Sequence, residues 1–408
     1  MYRIDNKKVL HQSQQYEKQM VEFLLDLIAI PSQSGHEEAK ILRVEQEMEK
    51  VGFDNIKIDR MGNIIGKIGS GKTIILMDAH IDTVGTGDIN EWKSDPFKGT
   101  IKNGIIYGRG ASDQTSGMVS LIYAVKLIND LKLLDDYTLY VTGTCHEEAC
   151  EGLAFFHIFK DENLFKPDFV VLSEPTNLKV NRGHPGRMEI KITTKGKACH
   201  SSRPQDGINA IYKMQPIIEE IEKLNEKLHT DTFLGKGTIS VTMIECKTPA
   251  LCAIPNECTI FIDRRLTLGE SKELAIQQLK DIIEKTNNSK DTIINILQYE
   301  AKAWTDLPLS MEKYFPGWLI EENHVLTQTA FKAAEMALEA TPKISKWAFS
   351  TNGVASMGTL GIPTIGFGPA NDIYAHTVED QVPIEHLVKA AAFYAIFPGV
   401  LVSKLKSI

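Results

Sequence analysis

His80, Asp113, Glu148, Glu174 and His376 are the side-chain types of a divalent-metal site. Their positions repeat a pattern. The apolar run TIILMDA ends in His80, YTLYVTGTC ends in His146-Glu147-Glu148, and DFVVLSE ends in Glu174. PTIGFGP is followed, after a short loop, by His376, and Asp113 closes GRGASD, just beyond an IIYG strand and before a helix. In α/β sheets, ligand sites collect outside the carboxyl ends of strands, so these residues converge although they are far apart in the chain. Two imidazoles with three or four carboxylates suit zinc, manganese or cobalt, and not a structural zinc site built on thiolates. Adjacent Glu147 and Glu148 repel each other unless a cation or a shared proton relieves them. His80-Ile81-Asp82 puts two side chains on one side of an extended segment, where Asp82 can accept the second ring N–H of His80. Each residue alone has an ordinary alternative: a surface histidine, a helix cap for Asp113, a solvated turn for the glutamates. Cys145 and Cys150, which flank the pair, read as packing residues.

The elements that must position these residues follow from periodicity. Met20, Phe23, Leu24, Leu27 and Ile28 have helical spacing within Tyr16 to Ile30. IPSQSGHEEAK then breaks that helix and starts another, with Ser34 as N-cap. NIIGKIG and TIILMDA are strands, and Asn103-Gly104 between apolar arms predicts a hairpin. A helix over Met118 to Leu131 and the buried strands YTLYVTGT and DFVVLSE complete an α/β pattern with several parallel strands. Near Gly186 the pattern changes. RMEIKITTKGK alternates as a half-exposed strand should. A helix from about Ile208 to Leu228, GTISVTMIEC, ECTIFIDRRL, a helix around Glu270 to Lys285 and TIINILQYEA follow. That order, β-α-β-β-α-β, is the split ferredoxin-like arrangement. The α/β pattern resumes with a helix at Val325 to Ala340, PTIGFGP and a last helix from Ile384. The division is therefore 1–185 and 303–408 for one α/β domain and 186–302 for an inserted domain.

Composition limits the function. The chain has 408 residues, 43% hydrophobic and 24% charged, which is globular. A net charge of -8 argues against a nucleic-acid surface. The polar N-terminus has no signal-peptide core, and no stretch approaches the length of a membrane span. Six scattered cysteines without a CxxC pair fit reduced thiols in the cytoplasm.

HIDTVG, GRGASDQTSG, HEEACEG, SEPT, GKACHSS and the late His376 together resemble the M20 family of metallopeptidases and amidohydrolases, which includes succinyl-diaminopimelate desuccinylase, acetylornithine deacetylase and carboxypeptidase G2-like enzymes. The motifs run in order over essentially the whole chain. FSTNGV, IPTIGFGP and YFPGW resemble a subgroup of hydrolases linked to selenium metabolism. The resemblance implies a mixed-sheet di-metal hydrolase domain with an inserted ferredoxin-like dimerisation (lid) domain. It implies that Asp113 bridges two metal ions, zinc before cobalt or manganese. His80 and Glu174 would complete one site, and Glu148 and His376 the other. Glu147 would be the general base, Asp82 the partner of His80, and Asp113-Gln114 a cis peptide bond. His200 in GKACHSS resembles the histidine that reaches a partner subunit's site to stabilise the oxyanion, and Arg265 the arginine that binds a substrate carboxylate. The chain departs from the family at two places. Cys252 stands where asparagine often precedes V-I-P, and Ser350-Thr351-Asn352-Gly353-Val354 replaces a G-G-T-D-A stretch. The hydroxyls and amide of Ser350, Thr351 and Asn352 are candidate substrate contacts.

The expectation is a homodimeric hydrolase cleaving an amide-type C–N bond of an N-acyl amino acid, dipeptide or related small molecule through a metal-bridged water. A non-catalytic binding protein on the same fold is the rival class, and the presence of Glu147 argues against it. A ureido-group amidohydrolase is a third reading, against which stands Glu174, since those relatives usually carry histidine there.

Overall fold

The computed structural model describes residues 5–407. Among them, the larger sheet has eight strands, in the spatial order Asn55–Ile58, Ile64–Ile68, Tyr137–Thr144, Thr73–His80, Phe169–Leu172, Thr364–Gly366, Val180–Asn181, Ile344–Ser345. Its centre is parallel: Thr73–His80 pairs with Tyr137–Thr144 on one side and Phe169–Leu172 on the other, and Thr364–Gly366 pairs with Phe169–Leu172. Thr73–His80 is buried from Ile75 onward, as a strand covered on both faces must be. The helices Glu17–Ile28, Glu38–Val51, Thr115–Leu131, Val325–Leu338 and Ile384–Leu405 pack their apolar residues into this core. Asn103 and Gly104 both have positive φ, 53° and 75°, and turn Thr100–Lys102 back onto Ile105–Tyr107.

The second sheet joins Gly186–Lys195, Thr238–Lys247, Glu257–Leu266 and Thr292–Ile296 in antiparallel pairs, with Thr238–Lys247 at one edge. The helices Ala210–Lys227 and Lys272–Lys285 close a separate core around Ile190, Ile192, Met214, Ile260, Ile262 and Leu279.

Three expectations are corrected. TIINILQYEA is not one strand: Thr292–Ile296 belongs to the second sheet, whereas Gln298–Lys302 leaves it and pairs with Pro308–Glu312. Ser34 does not cap the following helix, which starts at Glu38 after Glu37. Its hydroxyl instead donates to Asp82 Oδ2 at 2.7 Å. The helix Ile384–Leu405 has 22 residues and a mean hydropathy of 1.5, long and apolar enough to cross a membrane by length and composition alone. Of that apolar stretch, 78% is buried within the fold, so it packs here as a core helix.

Candidate metal centre

The central strands end level with one another. His80 stands beside Thr144, Asp78 beside Leu172, and Leu172 beside Gly366. The residues after those ends therefore leave the sheet at one edge. Asp113 arrives from the loop before the helix Thr115–Leu131, and its peptide bond to Gln114 is cis. Asp380 holds this loop from behind. Its carboxylate accepts from Gly110 N and Ser112 N, each at 2.7 Å, and from Arg109 Nη1 at 3.1 Å. His146, immediately before the glutamate pair, and His376 have positive φ, 59° and 61°. Few non-glycine residues adopt that conformation, and here it re-aims the chain at the site.

The two oxygens of Asp113 face opposite histidines. Oδ1 lies 3.1 Å from His80 Nε2 and Oδ2 lies 3.2 Å from His376 Nε2. His376 Nε2 also lies 2.9 Å from Glu148 Oε2, while His80 Nε2 lies 3.9 Å from Glu147 Oε2 and 4.0 Å from Glu174 Oε2. Ligand atoms of His80, Asp113 and Glu148 fall within 4.8 Å of one another, as do those of His80, Glu147 and Glu174.

Electrostatics report a shortage of positive charge. Burial, with the charge of Glu174, pushes the Glu147 carboxyl well above its usual range, and burial raises Glu174 and Glu148 likewise. Burial alone would lower His80. Its hydrogen bond to Asp113 and the charges of Glu147 and Glu174 outweigh that and hold it well above 6.5. His376 rises to about 10 through its hydrogen bonds to Asp113 and Glu148. For Asp113, burial is outweighed by those same two histidines, which hold it below the usual carboxylate range. Protons on the imidazoles thus stand where cations would be. Oε1 of both Glu147 and Glu148 is buried without a hydrogen-bond partner. A hard or borderline divalent ion fits this donor set and would displace those protons.

Asp82 is placed otherwise than expected. The Nδ1 of His80 meets the main-chain oxygen of Asp82 at 2.8 Å, while the nearer carboxylate oxygen is 3.7 Å away. The Asp82 carboxylate accepts from Glu147 N at 3.1 Å and Glu148 N at 3.0 Å, so it fixes the backbone of the glutamate pair and does not line the cavity.

A cavity of about 400 Å³ opens over these residues, lined also by Glu151, Arg187, Arg265, Phe349, Ser350, Asp372 and Ala375. Ser350 and Arg265 line it as candidate substrate contacts should, but Thr351 and Asn352 do not. The Thr351 N–H donates to His184 Nε2 at 3.2 Å. Asn352 Nδ2 donates to Asp78 and Thr144, each at 3.0 Å, and its Oδ1 accepts from Gly152 N at 2.8 Å. Both are turned into the core and hold the loop that presents Ser350. His200 is outside the cavity. Its Nδ1 meets Ser202 Oγ at 2.8 Å on an exposed turn. Glu151, Arg187, Phe349 and Asp372 were not anticipated. Glu151 lies within the HEEACEG motif already singled out, and Arg187 opens the strand RMEIKITTK, so proximity to recognised motifs was the available signal.

A family model described as Peptidase family M20/M25/M40 matches residues 76–398. A protein of Escherichia coli described as uncharacterized protein YgeY is 45% identical over 394 residues, 96% of each chain. An acetylornithine deacetylase of Proteus mirabilis is 32% identical over 286 residues, 65% of this chain and 70% of that one. A Bacillus subtilis structure described as a dinuclear metal binding peptidase from the M20 family superimposes with a TM-score of 0.72 at 14% identity, over 97% of this chain and 99% of that one, a likeness of fold.

Proposed function

This chain belongs to Peptidase family M20/M25/M40 and is a hydrolase of that family, and from that premise we propose that it cleaves the amide bond of an N-acyl amino acid or dipeptide with two divalent ions, zinc before cobalt or manganese, held by His80, Asp113, Glu148, Glu174 and His376. The observation that carries this reading is Asp113, whose two oxygens each face a different histidine at 3.1 and 3.2 Å. It joins two half-sites: His80 and Glu174 on one side, Glu148 and His376 on the other. When bound, such ions lower the pKa of water towards about 7 and polarise a carbonyl. Glu147 is the proton carrier. It is buried at the cavity floor with Oε1 unengaged, placed to take a proton from the attacking water and return it to the leaving nitrogen. Asp82 positions Glu147 through the backbone. Protein purified without chelator should carry close to two metal equivalents. A reproducible value near zero in folded protein overturns the reading, as does failure to cleave any member of a panel of N-acyl amino acids and dipeptides with zinc, cobalt or manganese.

The working unit of this proposal is a cytoplasmic homodimer. The edge strand Thr238–Lys247 exposes Met243 and Ile244, with Tyr212 and Leu251 exposed in the same domain. Open edges and apolar faces need cover. His200 then acts from the partner subunit as an oxyanion donor, which is compatible with its place outside its own chain's cavity. The six free cysteines suit a reducing compartment.

A further inference from the structure

Away from the metal centre, the domain of the second sheet gathers sulfur: Cys199, Cys246, Cys252 and Cys258 all belong to it. Cys246 and Cys258 stand directly opposite each other in the antiparallel ladder of Thr238–Lys247 with Glu257–Leu266. Opposed side chains leave the same face of a sheet, and here the two Sγ atoms lie 3.4 Å apart. The Cα atoms of such a pair are about 4.5–5.5 Å apart, inside the range of about 4.4–6.8 Å that a disulfide spans. Other thiols are engaged elsewhere. Cys145 Sγ donates to Gly62 O at 3.4 Å and Cys199 Sγ to Arg203 O at 3.3 Å.

The two opposed thiols have unequal surroundings. Cys246 is exposed, whereas Cys258 is fully buried in the core that holds Ala210 and Ile260. Burial, with the neighbouring thiol, pushes Cys258 up to about 12, so its thiolate is disfavoured and Cys246 is the sulfur that a dissolved oxidant meets. Pairing of this edge strand with another copy would use its outward main-chain groups, while the Cys246 thiol stands on the sheet face towards Cys258. The pair also closes the base of the loop 247–257. Near the loop's tip Ala253 bridges to His200, Ser201 N donates to Cys252 O at 2.8 Å and Ile254 N donates to Cys199 O at 2.9 Å.

We infer that Cys246 and Cys258 are an oxidation site: a dithiol that hydrogen peroxide converts to a disulfide within one chain, with Cys246 attacked first and Cys258 resolving. In the first step Cys246 Sγ attacks peroxide. An S–O bond forms, the O–O bond breaks, and the departing hydroxide leaves as water with the thiol proton. In the second, Cys258 Sγ attacks the sulfenic sulfur. The S–S bond forms, the S–O bond breaks, and hydroxide leaves as water with the Cys258 proton. The two thiols lose two electrons and two protons, and one peroxide becomes two waters. Such a pair stays reduced in a reducing compartment and closes under oxidant. The resolving thiol keeps the exposed sulfur from passing on to sulfinic and sulfonic acids, which are irreversible. The bond also ties the base of the loop on which the His200 turn rests. Neither sulfur lines the cavity, so the site is separate from metal and substrate.

Zinc-loaded protein, full length and as purified, is treated with a small excess of hydrogen peroxide, alkylated, unfolded and digested. Two of its six thiols should be lost, peptide mass spectrometry should find Cys246 joined to Cys258, and dithiothreitol should restore both. Cys246→Ser should keep its remaining thiols under the same treatment. In Cys258→Ser, Cys246 should instead accumulate as sulfenic acid, trapped by dimedone, and then as sulfinic acid. Both variants should match wild type in metal content, and Cys258→Ala replaces Cys258→Ser if the serine variant melts lower. Six thiols surviving peroxide in wild type overturn the inference, and that measurement needs no variant. So do a disulfide through Cys199 or Cys252, a bond between two chains, or loss of the same number of thiols in Cys246→Ser.

Discussion

Adjacent glutamates with different tasks test the site at the scale of single residues. Glu147→Ala should lower kcat by roughly 10²–10⁴ with metal content near wild type, because it removes a proton carrier. Glu148→Ala should lose metal. Metal analysis beside turnover checks both, and exchanged phenotypes would reverse the assignment within the pair. A second residue, His184, tests the support of the Ser350 loop. Its ring is fully buried, Nδ1–H donates to Pro185 O at 2.9 Å, and Nε2 accepts from Trp318 Nε1 at 2.7 Å and from Thr351 N. Burial pushes its pKa down from 6.5 to about 4. As pH falls through 6.5 the unfolded chain takes up the proton, and the folded one does so only near 4. The stability contributed by the neutral ring is therefore complete above 6.5 and drains away towards 4, at no more than about 1.4 kcal/mol per pH unit. Glutamine cannot titrate, so the stability gap between wild type and His184→Gln should shrink in urea unfolding as pH falls through that window. A gap independent of pH would show that this ring is not the titrating group.

Legibility also divides at this scale. His80, Glu148 and Glu174 could be read because a polar residue ending an apolar strand has few places to go in a parallel sheet. Thr351 and Asn352 were misplaced because three consecutive polar loop residues give no sign of which one turns outward. Asp82 was misread because the side chain two residues on can bind backbone amides as readily as an imidazole. Arg187 and Arg265 meet by cross-strand register between segments far apart in the chain, which no local pattern displays.

At the scale of elements, the long helices and central strands were legible from their periods, and the breaks were not. TIINILQYEA contains no Gly, Pro or turn pair to mark a break, yet it changes partners at Leu297, whose N–H donates to Glu189 O and whose carbonyl accepts from Lys313 N. A period-2 pattern says which face is buried and nothing about which neighbour is paired. The turn carrying His200 belongs to the domain of the second sheet, so the residue can serve the metal end only by domain closure or from a partner. His200→Ala should lower kcat by roughly 10²–10³ without changing metal content. Mixing it with inactive Glu147→Ala should restore part of the activity after subunit exchange, because one site then combines an intact Glu147 with the other chain's His200. No recovery after verified exchange rules out the crossing arrangement.

At the scale of the molecule, the described residues pack into two large cores and a smaller third one around Met61, Cys150, Leu309 and Phe315. One of the two large sheets is covered on both faces and bears the candidate metal ligands, while the other leaves Thr238–Lys247 as an edge. Light scattering of an active preparation at micromolar concentration should give twice the 45.5 kDa mass of one chain, and an active monomer would count against the dimer. The order of the chain through these two cores has its own effect during synthesis. His80, Asp113, Glu148 and Glu174 all emerge before the second sheet, and His376 only after it. Until the last part is made, the acidic cluster lacks one of its two imidazoles and Thr364–Gly366 is missing from the sheet centre. A ribosome-bound or prematurely ended chain therefore carries His80 and the carboxylates of one proposed half-site but lacks the His376 of the other, so on that proposal only a chain translated to the end of the fold can hold both ions.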